Sequence, residues 1–408
     1  MIILYRLLYL LFLPFFLLFG ILFSKKIRQY ITTRKTNLPK STSIKPVWIH
    51  ASSGEFEHAK YLIRSIKEKY PLQKIVVSYS SPSYFNAVKK FDLIDGYIPM
   101  PIDLKGPISS LIKRINPKII LFSRTDLWPE LMHQLNKKKI PSVVFSRMEK
   151  EESSFGEKLL FPITYKKVDH ISFVSEADKE TFIKKYNHLK GLSVDGDPRV
   201  EEVISRAAKS NQEDKAPKKT LILGSVWPED LKSISEGMLK SLKEGSLKQV
   251  IAAPHDPTAE HIKELQKVFK DFSISLYSKD PELLKKVVIV DTTGKLFDLY
   301  AKADIAFVGG SFKKKVHSVI EPLAHGLPVL VGPFIDNNTE AKLYSSSHSY
   351  VKVSKDSAEF SNNLSSLLNL KKDDLIELKI SIKDSLSQST GASGKIISLI
   401  EEKIELYS

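Results

Sequence analysis

Short apolar runs bounded by glycine, proline and serine alternate with longer segments of helical spacing along most of the 408 residues. The pattern starts at Pro46 to His50, a short apolar run followed by Ala51-Ser52-Ser53-Gly54-Glu55. Ala59, Leu62, Ile63 and Ile66 then fall on one helical face. Further strand runs are predicted at Lys74 to Tyr79, Gly96 to Met100, Lys118 to Phe122, Pro141 to Phe145 and His170 to Val174, with helices at Tyr84 to Lys90 and Pro107 to Ile115. A second series comprises Thr220 to Leu223, Gln249 to Ala253, Val287 to Val290, Ile305 to Val308 and Pro328 to Val331. Such alternation predicts an α/β chain built on mostly parallel sheets with right-handed crossovers. Three terminal helices are expected, at Asp356 to Leu368, Lys371 to Ser385 and Ala392 to Tyr407, the last able to cross back to the first domain.

Two stretches break the alternation. Residues 25–45 and 205–219 are polar and charged and read as linkers. They give an N-terminal segment 1–24, a first Rossmann-like domain 46–204, a second 220–385 and a C-terminal helix segment 386–408. Met1 to Phe23 is apolar except for Arg6 and two tyrosines. A helix of that length reaches about 35 Å, enough to cross a bilayer core. Arg6 and Pro14 also leave room for an insertion that lies in the interface. No small-x-small cleavage site precedes the basic cluster, which argues against a removed signal peptide.

Charge sharpens this picture. The net charge is +15, and the first 45 residues hold eight basic residues and no acidic one. The remaining 54 basic residues against 47 acidic ones leave +7 for the rest. A nucleic-acid binder spreads basic stripes over its folded part. Concentration beside an apolar segment points instead to an anionic membrane leaflet with the domains on its cytoplasmic side. There is no cysteine, hence no disulfide frame and no thiol nucleophile. The ten histidines are scattered, and no metal-ligand spacing is present.

Candidate chemistry gathers at strand ends. Ala303 to Phe334 reads as strand, Gly309-Gly310 turn, helix from Val319 to His325, and strand, which is half of a doubly wound unit. The glycine pair lets a ligand approach the backbone, and the helix start suits a phosphate; the alternative is an ordinary crossover with a solvated lysine loop. Glu321 lies in that helix's first turns, within reach of sugar hydroxyls. Glu55 is either part of a capping box with Ser52 or Ser53, or a general base at the mouth of a strand–helix turn. Arg124 and Asp126 either face a cleft or pair with each other. Arg147 is a candidate for an anionic group, and His255 for phosphate or proton transfer. Ser153 to Tyr165 reads as core or as an apolar surface facing lipid.

Taken in order, several segments resemble the 3-deoxy-D-manno-octulosonic acid (Kdo) transferases of lipopolysaccharide synthesis. They are WIHASSGEFEH at 48–58, TDLWPE at 125–130, GDPRVE at 196–201, GSVWPED at 224–230, PHDP at 254–257, DTTGKLFDLYAKADIAFVGGSF at 291–312 and HSVIEPLAHGLPVLVGP at 317–333. The resemblance implies a glycosyltransferase B fold of two Rossmann-like domains facing a cleft. It implies inverting, cofactor- and metal-free transfer of Kdo from CMP-Kdo to a lipid A precursor at the inner membrane. It further implies Glu55 as base; Gly309, Gly310, Ser311, His317 and Ser318 at the donor phosphate; Glu321 at the ribose; and Arg199 and His255 near donor charge. Ser53, Arg124, Asp126 and Arg147 are left as acceptor candidates. The chain departs from the family at Arg124-Thr125-Asp126, where Glu-Thr-Glu is usual. It departs again at Val316-His317-Ser318, and by one residue between His50 and Glu55. The rival expectations are a relative using another nucleotide sugar, and a silent membrane-tethered binding protein.

Overall fold

The computed structural model describes residues 1–24, 36–38, 44–81, 84–149, 155–188, 190–210 and 219–406. The basic cluster of residues 25–35, with Lys40, and most of the second linker lie outside them. The chain divides into two compact units. One is Met1–Glu202 with Thr390–Ser408, and the other is Val203–Ser389.

The first unit carries seven strands: β1 (Val47–His50), β2 (Ile75–Tyr79), β3 (Gly96–Pro99), β4 (Ile119–Ser123), β5 (Ser142–Arg147), β6 (His170–Phe173) and β7 (Leu192–Val194). Their order is β3-β2-β1-β4-β5-β6-β7, and every pairing is parallel. Strands covered on both faces read as continuous apolar runs rather than alternating ones. Val47 and Ile49 pack on the helix Phe56–Lys69 and the C-terminal helix Ala392–Glu401. Trp48 faces the other way, toward the helices Lys105–Ile115 and Pro129–Lys137.

The C-terminal helix is fastened by one buried carboxylate. Glu201 accepts the N–H of Gly391 at 2.7 Å, the N–H of Ser393 at 3.0 Å and the Ser393 hydroxyl. These N–H groups belong to the first turn, which has no intrahelical acceptor for them. Glu201→Ala is therefore expected to destabilise the first unit by about 2–3 kcal/mol. Denaturant melts that coincide with wild type would contradict this.

The second unit has β8 (Thr220–Val226), β9 (Gln249–Pro254), β10 (Ile274–Leu276), β11 (Val287–Ile289), β12 (Ile305–Val308), β13 (Val329–Val331) and β14 (Val351–Val353). They run in the order β10-β11-β9-β8-β12-β13-β14, again all parallel. In each unit the strand order reverses direction at a switch point, β1/β4 in the first and β8/β12 in the second. Ligands of doubly wound sheets bind beyond the strand C-termini at such points.

Several expectations need correction. A helix forms over Ile2–Phe23, but no helix among the described residues is long and apolar enough to cross a membrane. Its first turns are tied to protein. Arg6 makes a fork on Glu130 at 2.7 and 2.9 Å, and the Tyr5 hydroxyl donates to Asp103 at 2.9 Å. The helix Pro198–Lys209 runs into the stretch read as a linker from residue 205, because Val203 and Ala207 give it a sparse apolar face. Phe155 and Leu159, on the helix Phe155–Leu160, are 82% and 54% exposed, whereas Phe161 and Tyr165 are buried, so the core reading of 153–165 holds for its second half and not for its first.

Candidate active site

In the first unit the site is assembled where β1 and β4 end side by side, His50 being in register with Phe122. Glu55 stands at the entry of the helix Phe56–Lys69 in right-handed backbone geometry and makes no side-chain cap. Instead it collects donors. Its Oε2 accepts the Ser53 N–H at 2.8 Å, the Ser53 hydroxyl at 2.9 Å and the Ser52 hydroxyl at 3.2 Å. The serines expected as helix caps thus serve the carboxylate, and none of these bonds falls on Oε1. Burial pushes the Glu55 carboxyl up, but the backbone and serine bonds outweigh it and hold the group below its ordinary value. The Ser123 hydroxyl fixes the backbone from below, donating to the Glu55 carbonyl at 2.7 Å.

Asp126 and Arg124 both have positive φ, 67° and 66°. They do not pair with each other; each is met by a histidine. His50, fully buried, lies 2.8 Å from Asp126 through Nε2 and 2.9 Å from the Ser78 hydroxyl through Nδ1. Trp48 Nε1 donates to the same Ser78 oxygen at 2.7 Å. Burial pushes the Asp126 carboxyl up, but bonds from His50, Trp128 and Ser52 bring it below its usual value. An ionised Asp126 accepts from His50 Nε2–H, so Ser52 touches both carboxylates of the site. Arg124 Nη1 donates to His58 Nε2 at 3.3 Å.

Arg147 drops out as an anion site. It is buried against Glu149 at 2.6 Å and Glu157 at 2.8 Å, with Tyr165 on its Nη1. Arg199, half-buried in the first unit, donates its backbone N–H to Asp197 at 3.0 Å.

In the second unit the C-termini of β8, β9 and β12 gather three stacked rings. Trp227 lies 4.5 Å from His255, and His255 4.5 Å from His317, centroid to centroid. Trp227 Nε1 donates to His317 Nε2 at 3.0 Å, and Lys313 Nζ sits 3.7 Å above the indole. Burial, then the charge of His255, lowers the His317 pKa to about 4. His317 is therefore neutral near pH 7 and, with Nε2 accepting, carries its proton on Nδ1. Ser318 and Glu321 flank it, both half-buried, but the helix there is only Ile320–Ala324.

The glycine pair does another job than expected. A Cβ on Gly309 would collide with the backbone of Ser225 and Val226, and one on Gly310, at φ 79°, with the Lys315 carbonyl. Both N–H groups are committed, Gly309 to the Gly224 carbonyl and Gly310 to Asp230. Ser311 is buried, donating to the Val308 carbonyl and accepting from Gly332 N–H. The two glycine N–H groups and the Ser311 hydroxyl are thus spent on shaping the turn. The residue that holds the turn is Asp230, which accepts from Gly310 at 2.7 Å, Phe312 at 2.9 Å and Trp227 at 2.9 Å. Its carboxyl is pushed up by burial, which those three N–H groups only partly offset.

His50, His58, Asp197, Trp227 and Asp230 were not singled out from sequence as site residues, although all lie in or beside the motifs quoted above. Among the described residues no group of three or more His, Cys, Asp or Glu is arranged to hold a metal ion.

Residues 25–201 match the family model described as 3-deoxy-D-manno-octulosonic-acid transferase (kdotransferase). The chain is 28% identical over 315 residues to the 3-deoxy-D-manno-octulosonic acid transferase of Haemophilus influenzae, covering 72% of each. It is 27% identical over 318 residues to that of Chlamydophila psittaci, covering 72% of this chain and 70% of the relative. To that of Aquifex aeolicus it is 26% identical over 336 residues, covering 82% and 89%. Among solved structures, the UDP-GlcNAc 2-epimerase from Methanocaldococcus jannaschii superposes with a TM-score of 0.61 at 16% identity, over 88% of this chain and 99% of that one. A glycosyltransferase from Rickettsia africae gives 0.58 at 13% identity, over 89% and 99%. At such identities the structural likeness speaks to the fold alone.

Proposed function

We propose, on the premise that this chain is a glycosyltransferase of the Kdo transferase family, that it moves Kdo from CMP-Kdo to a lipid A precursor with inversion at the anomeric carbon. The acceptor hydroxyl gives its proton to Glu55 as its oxygen attacks that carbon. The bond from the carbon to the CMP phosphate breaks, and CMP leaves with the electron pair. The observation that carries this reading is the Glu55 carboxylate, kept ionised by three serine bonds on one oxygen while none of them occupies the other. A carboxylate held below its ordinary pKa is a weak base, so an activated leaving group must supply most of the driving force. For the donor, Lys313, which also pairs with the half-exposed Glu229 at 3.2 Å, and the Nδ1–H of His317 are groups of the second unit that suit a phosphate. The test is incubation of the full chain with CMP-Kdo generated in situ and a lipid A precursor. Mass spectrometry is expected to show the acceptor plus one or more Kdo. No product would favour a silent binding protein, and product only with another nucleotide sugar would favour the rival enzyme.

The same reading puts the protein at the cytoplasmic face of the inner membrane. Support comes from the helix Ile2–Phe23, whose Leu4, Leu7, Leu11, Phe15, Leu18 and Leu22 are each more than half exposed. With Arg6 and Tyr5 docked on the first unit, such a helix lies in the interface rather than across it. The exposed Phe155 and Leu159 suit the same surface. Leu7→Asp/Leu11→Asp is expected to cut binding to anionic phospholipid vesicles about 100-fold or more in flotation assays. Undiminished flotation would remove this helix from the membrane contact.

A further inference from the structure

The first unit builds two arginines in opposite ways. Arg147 is neutralised by two glutamates. Arg124, half-buried at the C-terminus of β4, has no carboxylate within 4 Å among the described residues. Its partners are not carboxylates: His58 Nε2 lies 3.3 Å from Nη1, and Met148 Sδ 3.1 Å from Nη2. A guanidinium only donates, so His58 Nε2 holds a lone pair and the imidazole proton sits on Nδ1. That N–H points at Asp197, 2.7 and 2.8 Å from its two oxygens. Asp197 is itself buried and fixed by the Ser146 hydroxyl at 3.0 Å and the Arg199 N–H at 3.0 Å. A buried carboxylate thus aligns an imidazole, and the imidazole aligns a cation without placing a carboxylate on it. The backbone at Arg124 is left-handed, φ 66°, a conformation that costs energy for a side-chain-bearing residue and is kept where the surroundings impose it. The neighbouring Ser123 hydroxyl donates to the Glu55 carbonyl, so the turn that carries Arg124 is tied to the backbone of the turn that carries the base.

We propose that Arg124 is the anion-recognition residue of the acceptor site, taking an oxyanion of the acceptor glycolipid on its remaining N–H groups, with His58 and Asp197 as its positioning pair. This rests on the acceptor reading given above. The oxyanion is a phosphate of the acceptor or the carboxylate of a sugar already attached to it; both suit the planar fork of arginine. Glutamate, usual at this position in the resembled family, would repel either one. Arg124, one of the residues that depart from the family pattern, is therefore the one that sets which acceptors bind.

Steady-state kinetics of Arg124→Gln and Arg124→Lys test it, with a phosphorylated acceptor, its dephosphorylated form, and an acceptor already carrying one transferred sugar. Arg124→Gln is expected to raise KM for the phosphorylated acceptor by roughly 10- to 100-fold with kcat changed less than about threefold. Arg124→Lys falls in between and stands in should the glutamine variant not fold. Removing the phosphates and removing the guanidinium then give losses that do not multiply. A KM effect confined to the sugar-bearing acceptor assigns the carboxylate instead. Equal losses in kcat with charged and uncharged acceptors, or an unchanged KM throughout, would overturn the proposal. Should wild type make no product at all, the transferase reading fails, and a binding titration decides this one separately. Phosphorylated glycolipid in detergent is expected to shift the His58 imidazole NMR signals in wild type and not in Arg124→Gln. No shift in wild type would also overturn it.

Discussion

Glu55→Gln is expected to lower kcat for sugar transfer by about 10²- to 10⁴-fold while leaving CMP binding within twofold of wild type. The substitution is close to isosteric. Its amide oxygen can still accept from Ser53 N–H and from the two serine hydroxyls, so the turn keeps its shape. What is lost is an oxygen able to take a proton. In wild type the base form is populated above the folded pKa and lost as pH falls through it. Because the serine bonds hold that pKa below its ordinary value, the acid limb of kcat/KM should lie well on the acid side, not in the neutral range. Wild-type turnover by the glutamine variant, or an acid limb near pH 6 assigned to this group, would remove Glu55 from the chemistry.

The second large effect is expected at Asp230. Asp230→Ala strips the acceptor from three N–H groups at once, those of Trp227, Gly310 and Phe312, in a place with no solvent to replace it. At about 1–3 kcal/mol for each stranded donor, partly relieved by relaxation, the second unit should lose about 3–5 kcal/mol. For a unit of this size that is a fall in Tm of roughly 10 °C. CMP binding should weaken in parallel, since Trp227 and the turn before His317 lose their common support. Asp230→Asn, which keeps one acceptor oxygen, should fall between the two. Calorimetry and CMP titration check both; a Tm within about 2 °C of wild type would show that the turn is held by something else.

Much of this architecture was readable before any coordinates. β1, β4 and β12 are covered on both faces, so their apolar runs stand out without alternation. The helix after Glu55 was legible because Ala59, Leu62, Ile63 and Ile66 all face the core. β10 and β14 were not, since each has three residues, mostly half-exposed, too few for a period to show, and β7 could be read only from its end at Val194, where the turn begins. β8 runs on to Val226, past the stretch read as a strand, because a register shift and a positive φ at Ser225 carry the pairing through Gly224-Ser225. The site divides in the same way. Glu55 and His317 sit in local motifs and could be nominated singly. The His58–Asp197 contact joins residues 139 apart in the chain, and nothing in either local pattern encodes it. Arg147 failed as a candidate for a related reason. Glu149 is two residues away and Glu157 ten, spacings that reveal nothing until β5 and the following helix are folded together.

The Glu201 carboxylate that caps residues 391 and 393 also orders events on the ribosome. Everything needed to close the second unit has been translated by Ser389, whereas the first still lacks its final helix. The unit that starts earlier in the chain is thus the later one to be finished, with Ile396 and Ile400 missing from its core until residues beyond 390 are made. Late stop codons should for that reason leave products that nascent-chain quality control removes, even though no residue of either candidate site has been cut away.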